Sequence, residues 1–169
     1  MEIKDKKSSG KSFDPKKSIH RARIRKNGEG SVWTIKISGK TYTWSSKMDR
    51  VSLIREGLPY ESIEVISKNS NLSIQQVLNF LNLPQTTYNK KKREQDLLNS
   101  RDSEIILVLT ELLVFGLNVF NSEKEKFQSW LQKPNISLGG ATPISLFDSL
   151  TGIQEVRNSL NRIEYGNLA

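Results

Sequence analysis

One apolar segment, IILVLTELLVFGLNVF at residues 105–120, constrains the fold of this chain more than any other stretch. Its apolar side chains lie on nearly every side of a helix, so a helix here has to be covered all round. The segment is shorter than the ~20 residues of a membrane-spanning helix, and it contains Glu111 and Asn118. We therefore expect a core helix that is covered by other helices of the chain or by a second copy, and a homodimer is the economical solution.

The positive charge of the chain is concentrated in its N-terminal third. The formal net charge is +8, and residues 1–60 hold 15 Lys and Arg against 6 Asp and Glu, whereas residues 61–169 hold 11 against 12. Such an arm favours contact with a polyanion, and the alternative is a solvated arm without a specific partner. Residues 1–17 have almost no apolar side chain, so we expect them to be disordered. They lack the apolar segment of a signal peptide, which predicts a cytoplasmic protein with no membrane contact.

The basic arm, residues 1–47, contains one hairpin pattern at residues 31–44. In SVWTIKISGKTYTWS, apolar and polar residues alternate on both sides of a Ser-Gly-Lys connection. One face of this hairpin carries Trp33, Ile35, Ile37, Tyr42 and Trp44. That face can pack on the rest of the domain, while the Lys and Arg residues that flank it can lie on phosphate groups.

Residues 48–99 have the pattern of a helix-turn-helix domain. Two short amphipathic segments, MDRVSLIREG and PYESIEVISKN, come first. Ser73 and Gln76 then have the spacing of a capping box, and an apolar stripe with helical spacing follows them. The sequence NLP ends this helix, and a second helix begins near Pro84 or Gln85.

The second helix of this pair carries the candidate DNA contacts. Near its start, side chains of the kind that meet base edges or phosphates are Gln85, Thr86, Thr87, Tyr88 and Asn89. A basic run that can neutralise phosphate charge follows, namely Lys90, Lys91, Lys92 and Arg93. The alternative is an ordinary helical hairpin with a solvated basic end.

The sequence of residues 100–169 contains several helix-capping signals and predicts a second helical domain. Asn99 or Ser100 can cap the long apolar helix, and Ser122 can cap the next one. Further signals are Thr142 before Pro143, then Thr151 with Gln154, and finally Gly166 as the C-terminal stop of the last helix.

Composition argues against an enzyme. The chain has no cysteine, which excludes disulfides, thiolate nucleophiles and cysteine zinc sites, and His20 is its only histidine. We find no phosphate-binding glycine loop and no specific pair of carboxylates. The sequence therefore predicts no catalytic residue, no metal site and no cofactor.

Two patterns near the C-terminus resemble a known family. They are WLxxPNxxLGGxTPxxLxD at residues 130–148 and GxxEVxxxLxRIEYG at residues 152–166. Together with the helix-turn-helix pattern upstream, they are similar to antitoxins of the Xre/MbcA/ParS type, which pair with RES-domain toxins in bacterial type II toxin-antitoxin modules. The resemblance covers roughly residues 51–169.

The resemblance implies a mainly α protein, with an Xre-like helix-turn-helix domain, then a small helical toxin-binding domain, after a basic arm with a hairpin. Such antitoxins are usually dimeric and bind operator DNA with the middle domain. Their toxins resemble ADP-ribosyltransferases that act on NAD, and the antitoxin tail reaches toward the toxin's active site. Carried onto this sequence, the toxin contacts are Arg162, Glu164, Tyr165, Gly166, Asn167, Leu168 and Ala169.

The sequence departs from the family pattern in two places. After the predicted recognition helix it has EQDLLNS where the family often has a small Arg/Gly segment, and the basic arm lies outside the resemblance. The alternative function is a stand-alone helix-turn-helix regulator without a toxin partner.

Overall fold

A computed structural model describes residues 32–166, which belong to one compact unit, Ser31–Ala169. The predicted disorder of residues 1–17 and three predicted toxin contacts, Asn167, Leu168 and Ala169, lie outside the described residues. Within residues 32–166 the fold is mainly helical with one two-stranded sheet, as the sequence predicts.

The predicted hairpin is confirmed. Strands β1 (Trp33–Ile37) and β2 (Lys40–Trp44) pair antiparallel, with Trp33 opposite Trp44. Ser38 and Gly39 form the two-residue loop with φ values of 47° and 84°. Both are positive, as the tight turn that matches the twist of a hairpin requires. Lys40, which we placed in the connection, begins the second strand.

The hairpin is part of the hydrophobic core. Four side chains of its predicted apolar face are buried, namely Ile35, Ile37, Tyr42 and Trp44, and the fifth, Trp33, stacks on Trp44 with ring centroids 6.4 Å apart. The strands pack on helices α1 (Lys47–Glu56), α2 (Ser62–Ser70) and α5 (Ser100–Val119). The apolar face of the hairpin thus packs on the rest of the fold, which is one of the two roles expected for the hairpin.

The predicted helix-turn-helix pair is present. Helix α3 (Ile74–Leu81) begins at a capping box, in which Ser73 Oγ accepts from the backbone N of Gln76 at 3.2 Å and Gln76 Oε1 accepts from the backbone N of Ser73 at 2.9 Å. Asn82 leaves the helix in a left-handed conformation, with φ 52°. Pro84 then precedes α4 (Gln85–Arg93), so the turn between the helices is three residues long.

The long helix α5 begins at Asn99, whose Oδ1 accepts from the backbone N of Asp102 at 2.8 Å. It is covered by the hairpin and by helices α1, α2, α6 (Lys124–Gln132) and α7 (Leu150–Glu164). Among its apolar residues only Val114, at 45%, is clearly exposed. The sequence left open whether other elements of the same chain or a second copy cover this helix. In the structure, elements of the same chain cover it.

Within residues 32–166, no single helix has the length and apolar character needed to cross a bilayer. Helices α5 and α6 meet that criterion only as a pair, and the pair is bent by 117°. At this bend Gly116 lets the two helices approach, because a Cβ atom there would lie 2.2 Å from the ring of Phe127.

The C-terminal part contains α6, two short 3-10 turns (Ile136–Leu138 and Pro143–Leu146) and α7. Two predicted caps are wrong. Ser122 has φ 64° and Glu123 takes the cap position of α6 without a side-chain bond. Helix α7 starts before Thr151, because Ser149 is extended and its Oγ accepts from the backbone N of Gly152 at 3.1 Å.

Two further residues, Thr142 and Gly166, lie at the helix ends where the sequence predicts them. Thr142 occupies the cap position before Pro143 but makes no side-chain cap bond. Gly166 is the second residue after the end of α7 and has φ 69°, the left-handed conformation of a helix stop.

Candidate functional site

Most of the predicted DNA contacts lie on the outer side of α4. Exposed side chains are Gln85, Thr86, Asn89, Lys90 and Arg93, and partly exposed ones are Thr87, Lys91 and Lys92. A depression of about 480 Å³ runs along this side, lined by Glu64, Ile74, Gln85, Tyr88, Asn89, Lys92 and Arg93. The helix therefore presents amide and hydroxyl groups near its start and cations near its end.

Tyr88 does not belong to this exposed set, which corrects the prediction for that residue. Its side chain is only 3% exposed, and its ring packs 6.4 Å from that of Tyr60. The hydroxyl donates to Glu64 Oε1 at 3.1 Å. Burial, with the nearby charge of Glu64, raises the pKa of Tyr88, so the hydroxyl stays protonated and fixes α4 to α2.

Two cations of the basic run already have carboxylate partners. Lys91 Nζ lies 2.5 Å from Asp96 Oδ2, and Lys92 Nζ binds Glu64 Oε1. The hydrogen bond from Lys92 lowers the pKa of Glu64, and the hydrogen bond from Lys91 lowers that of Asp96. Lys90 and Arg93, the other two cations of the run, both have exposed side chains.

The predicted toxin contacts that the structure describes lie at the end of α7. Arg162 and Tyr165 are exposed, Tyr165 to 57%, and Glu164 is partly exposed. Arg162 Nη1 donates to the carbonyl of Ser137 at 3.4 Å. The structure therefore brings Arg162, Glu164, Tyr165 and Gly166 together at one end of the fold.

The helix that carries these residues is firmly attached to the core. Ile153, Val156 and Leu160 are each 1% exposed or less, and they face α5 and the 3-10 turns. A helix end held in this way loses little conformational entropy when it binds a partner.

The sequence alone did not identify a candidate residue in the loop beside this helix end. Residues 135–141 connect α6 to the second 3-10 turn, and Ile136 in this loop is 97% exposed. The sequence signal is an isoleucine between Asn135 and Ser137 with no apolar side chain three or four residues away on either side.

A buried electrostatic cluster surrounds Glu111, which is 6% exposed. Its Oε1 accepts from Trp44 Nε1 at 2.8 Å and from Arg50 Nη1 at 2.9 Å, and Arg157 Nη1 lies 3.9 Å from its Oε2. This cluster borders a cavity of about 430 Å³ between the hairpin, α1, α5 and α7. Because each partner comes from a different element, its evident role is structural.

Two family models match consecutive parts of the chain. The model described as the antitoxin Xre-like helix-turn-helix domain matches residues 49–109. The model described as the antitoxin Xre/MbcA/ParS C-terminal toxin-binding domain matches residues 116–166. The first contains α4 and its exposed side, and the second contains α6, the 135–141 loop and α7. The hairpin precedes both.

Proteins similar to this chain carry antitoxin names. An antitoxin Xre from Photorhabdus laumondii is 25% identical over 68% of this chain and 78% of the relative. A Prs ADP-ribosylating antitoxin from a Sphingobium species is 29% identical over 74% of this chain and 84% of the relative. An antitoxin Xre from Yersinia enterocolitica is 23% identical over 69% and 78%. With an Xre-like helix-turn-helix domain followed by the family's toxin-binding domain, this chain belongs to the Xre/MbcA/ParS-type antitoxins of toxin-antitoxin systems.

Proposed function

We propose that this antitoxin neutralises a cognate RES-domain toxin by placing its C-terminal tail in the toxin's active site. The main support for the proposal is that the family match and the last helix end at nearly the same residue. The toxin-binding family model ends at residue 166, and α7 ends at Glu164 with Arg162 and Tyr165 exposed beside it.

Occlusion is the physical mechanism that fits this geometry. Helix α7 is held by its buried side, so Tyr165 and Gly166, where the tail begins, follow a helix that is attached to the core. Pre-organisation of this kind reduces the entropic cost of entering a cleft. The contacts would come from Arg162, Glu164, Tyr165, Gly166, Asn167, Leu168 and Ala169.

The proposed toxin chemistry is ADP-ribosyl transfer or consumption of NAD. The name of the Sphingobium relative pairs an antitoxin with ADP-ribosylation, which supports this class. Cationic groups that hold the phosphates of NAD would attract Glu164 when the tail enters the same cleft.

We also propose that the antitoxin represses its own operon. The exposed side of α4 supports this, because it has polar groups for base edges at Gln85, Thr86 and Asn89. Lys90 and Arg93 then supply the phosphate contacts. A stand-alone regulator without a toxin is the competing function, and the toxin-binding model at residues 116–166 argues against it.

A homodimer in the cytoplasm is the assembly and location that we propose from the family resemblance. Coverage of α5 does not by itself require the dimer, since one chain supplies that coverage. Light scattering of the purified full chain tests it directly, with a mass near twice 19.3 kDa as the expected result.

Deletion of residues 165–169 tests the proposed neutralisation in cells. The full chain should restore growth to cells that express the RES-domain protein encoded beside it, and the shortened chain should fail at equal abundance. Full rescue by the shortened chain contradicts occlusion by the tail. The absence of a RES-type reading frame beside the gene would favour the stand-alone regulator.

A further inference from the structure

Ile136 is the most exposed of the large apolar residues that the structure describes, at 97%. Its loop is closed by hydrogen bonds among its own residues. The backbone N of Asn135 donates to the carbonyl of Ala141 at 3.0 Å, and the backbone N of Gly140 donates to the carbonyl of Asn135 at 2.9 Å. Asn135 Oδ1 accepts from the backbone N of Ser137 at 2.9 Å. The isoleucine therefore stands at the tip of an internally bonded loop.

The loop is also attached to α7. Ser137 Oγ lies 2.8 Å from Ser159 Oγ, which is almost fully buried, and Arg162 Nη1 donates to the carbonyl of Ser137. Arg162 lies in the last turn of α7, and Tyr165 directly follows the helix. Ile136 is thereby held beside the helix end from which the tail leaves.

The surface in front of this loop is open. Gly139 and Gly140 have φ values of 66° and 85°, and a Cβ added to either would meet nothing within 4 Å. Both glycines serve the backbone turn and leave room on the outer side. Because the loop's backbone groups bond to one another, a partner that covers its tip buries mainly the apolar side chain of Ile136.

We propose that Ile136 is an apolar anchor of the toxin interface and inserts into an apolar pocket of the toxin beside its active-site entrance. The inference rests on the proposed function, because it assigns the occupant as the toxin. Three observations favour that occupant. Ile136 lies inside the toxin-binding model, its neighbour Ser137 is bonded to Arg162 near the end of α7, and the exposed side of α4, our candidate for DNA, belongs to the other model.

The contact has the energetics of a binding hot spot. A single well-buried aliphatic side chain in a pre-ordered loop contributes affinity with little ordering cost. Removing it should weaken toxin binding by about 10-fold or more, the equivalent of burying one aliphatic side chain. The charged variant Ile136→Asp should weaken binding further, because its carboxylate would be desolvated in the same pocket.

The test measures the affinity of the full chain for the purified RES-domain protein encoded beside it. The variants are Ile136→Ala and Ile136→Asp, with the tail intact. Met48→Asp is the matched control, because Met48 is 69% exposed on α1, within the helix-turn-helix half. Thermal unfolding should match the unmodified chain for all three variants, since neither side chain supports the core.

The anchor is supported if both Ile136 variants lose affinity while Met48→Asp does not. Unchanged affinity of Ile136→Asp, beside a clear loss on deletion of residues 165–169, overturns the anchor and leaves the proposed function standing. A change in self-association or in operator binding without a change in toxin affinity also overturns it, by assigning Ile136 to a second copy or to DNA. No binding by the unmodified chain refutes the proposed function itself.

Discussion

The indole of Trp44 donates a hydrogen bond from Nε1 to Oε1 of Glu111 at 2.8 Å, and this bond joins the N-terminal hairpin to the central helix. Arg50 donates to the same oxygen at 2.9 Å. A carboxylate at 6% exposure needs such partners, because an unpaired buried charge is strongly destabilising. The hairpin, which lies outside both family models, is thus built into the fold that those models describe.

Removing the buried carboxylate should destabilise the fold. Glu111→Ala leaves Arg50 and Trp44 without their acceptor, so we expect the free energy of unfolding to fall by about 3 kcal/mol. Chemical denaturation measures this loss. Glu125→Ala, on the exposed side of α6, is the control and should change stability by less than about 0.5 kcal/mol. Equal stability of the two variants would show that the cluster makes no net contribution.

The close approach of α5 and α6 should be sensitive to a single methyl group. Gly116→Ala would place Cβ 2.2 Å from the ring of Phe127, so the ring or the helix has to move. We expect a loss of about 1–3 kcal/mol in the free energy of unfolding. The double variant Gly116→Ala with Phe127→Leu should recover part of the Gly116→Ala cost in a double-mutant cycle. Additive effects of the two substitutions would contradict the close packing of these two residues.

The salt dependence of operator binding should report the cations of α4. Replacing Lys90 and Arg93 together with alanine should make the slope of log K against log salt shallower by about 0.9 for each phosphate that the variant no longer neutralises. Lys124→Ala with Lys133→Ala removes the same charge from exposed positions in and after α6 and should leave the slope nearly unchanged. If both pairs change the slope equally, α4 is not the DNA-contacting helix.

Acid should weaken the attachment of α4 to α2 through Glu64. Hydrogen bonding to Lys92 lowers the pKa of Glu64 from its usual 4.5, so its stabilisation is present above that value and is lost as the pH falls through the lowered pKa. Glu64→Gln lacks this titration. The difference in unfolding free energy between the unmodified chain and Glu64→Gln should shrink from about pH 6 to about pH 3. A difference that stays constant over that range would show that Glu64 does not contribute to the loss of stability in acid.

Local patterns in the sequence predicted the elements well. Alternation around a Ser-Gly-Lys connection predicted the hairpin, although Lys40 belongs to the second strand, and the spacing of Ser73 and Gln76 predicted the start of α3. These features depend on residues close in sequence, so the sequence contains the information needed to predict them. The same holds for Gly166 as the stop of α7.

Features that depend on distant residues could not be predicted in this way. Periodicity identified α5 as a helix that needs cover, but not that its own chain supplies the cover. Tyr88 is of a residue type that can contact DNA, and only its contacts with Glu64 and Tyr60 show that its side chain faces inward. Ile136 became a candidate once its exposure and its position beside α7 were known.

In the proposed mechanism, the antitoxin tail and NAD occupy the same cleft of the toxin. The most direct test is the affinity of the full chain for its RES-domain partner, measured in rising concentrations of a non-hydrolysable NAD analogue. Occlusion predicts that the apparent Kd rises in proportion to the analogue, and that a chain lacking residues 165–169 binds more weakly and without this dependence. If a saturating concentration of the analogue leaves the affinity of the full chain unchanged, the tail does not occupy the NAD cleft.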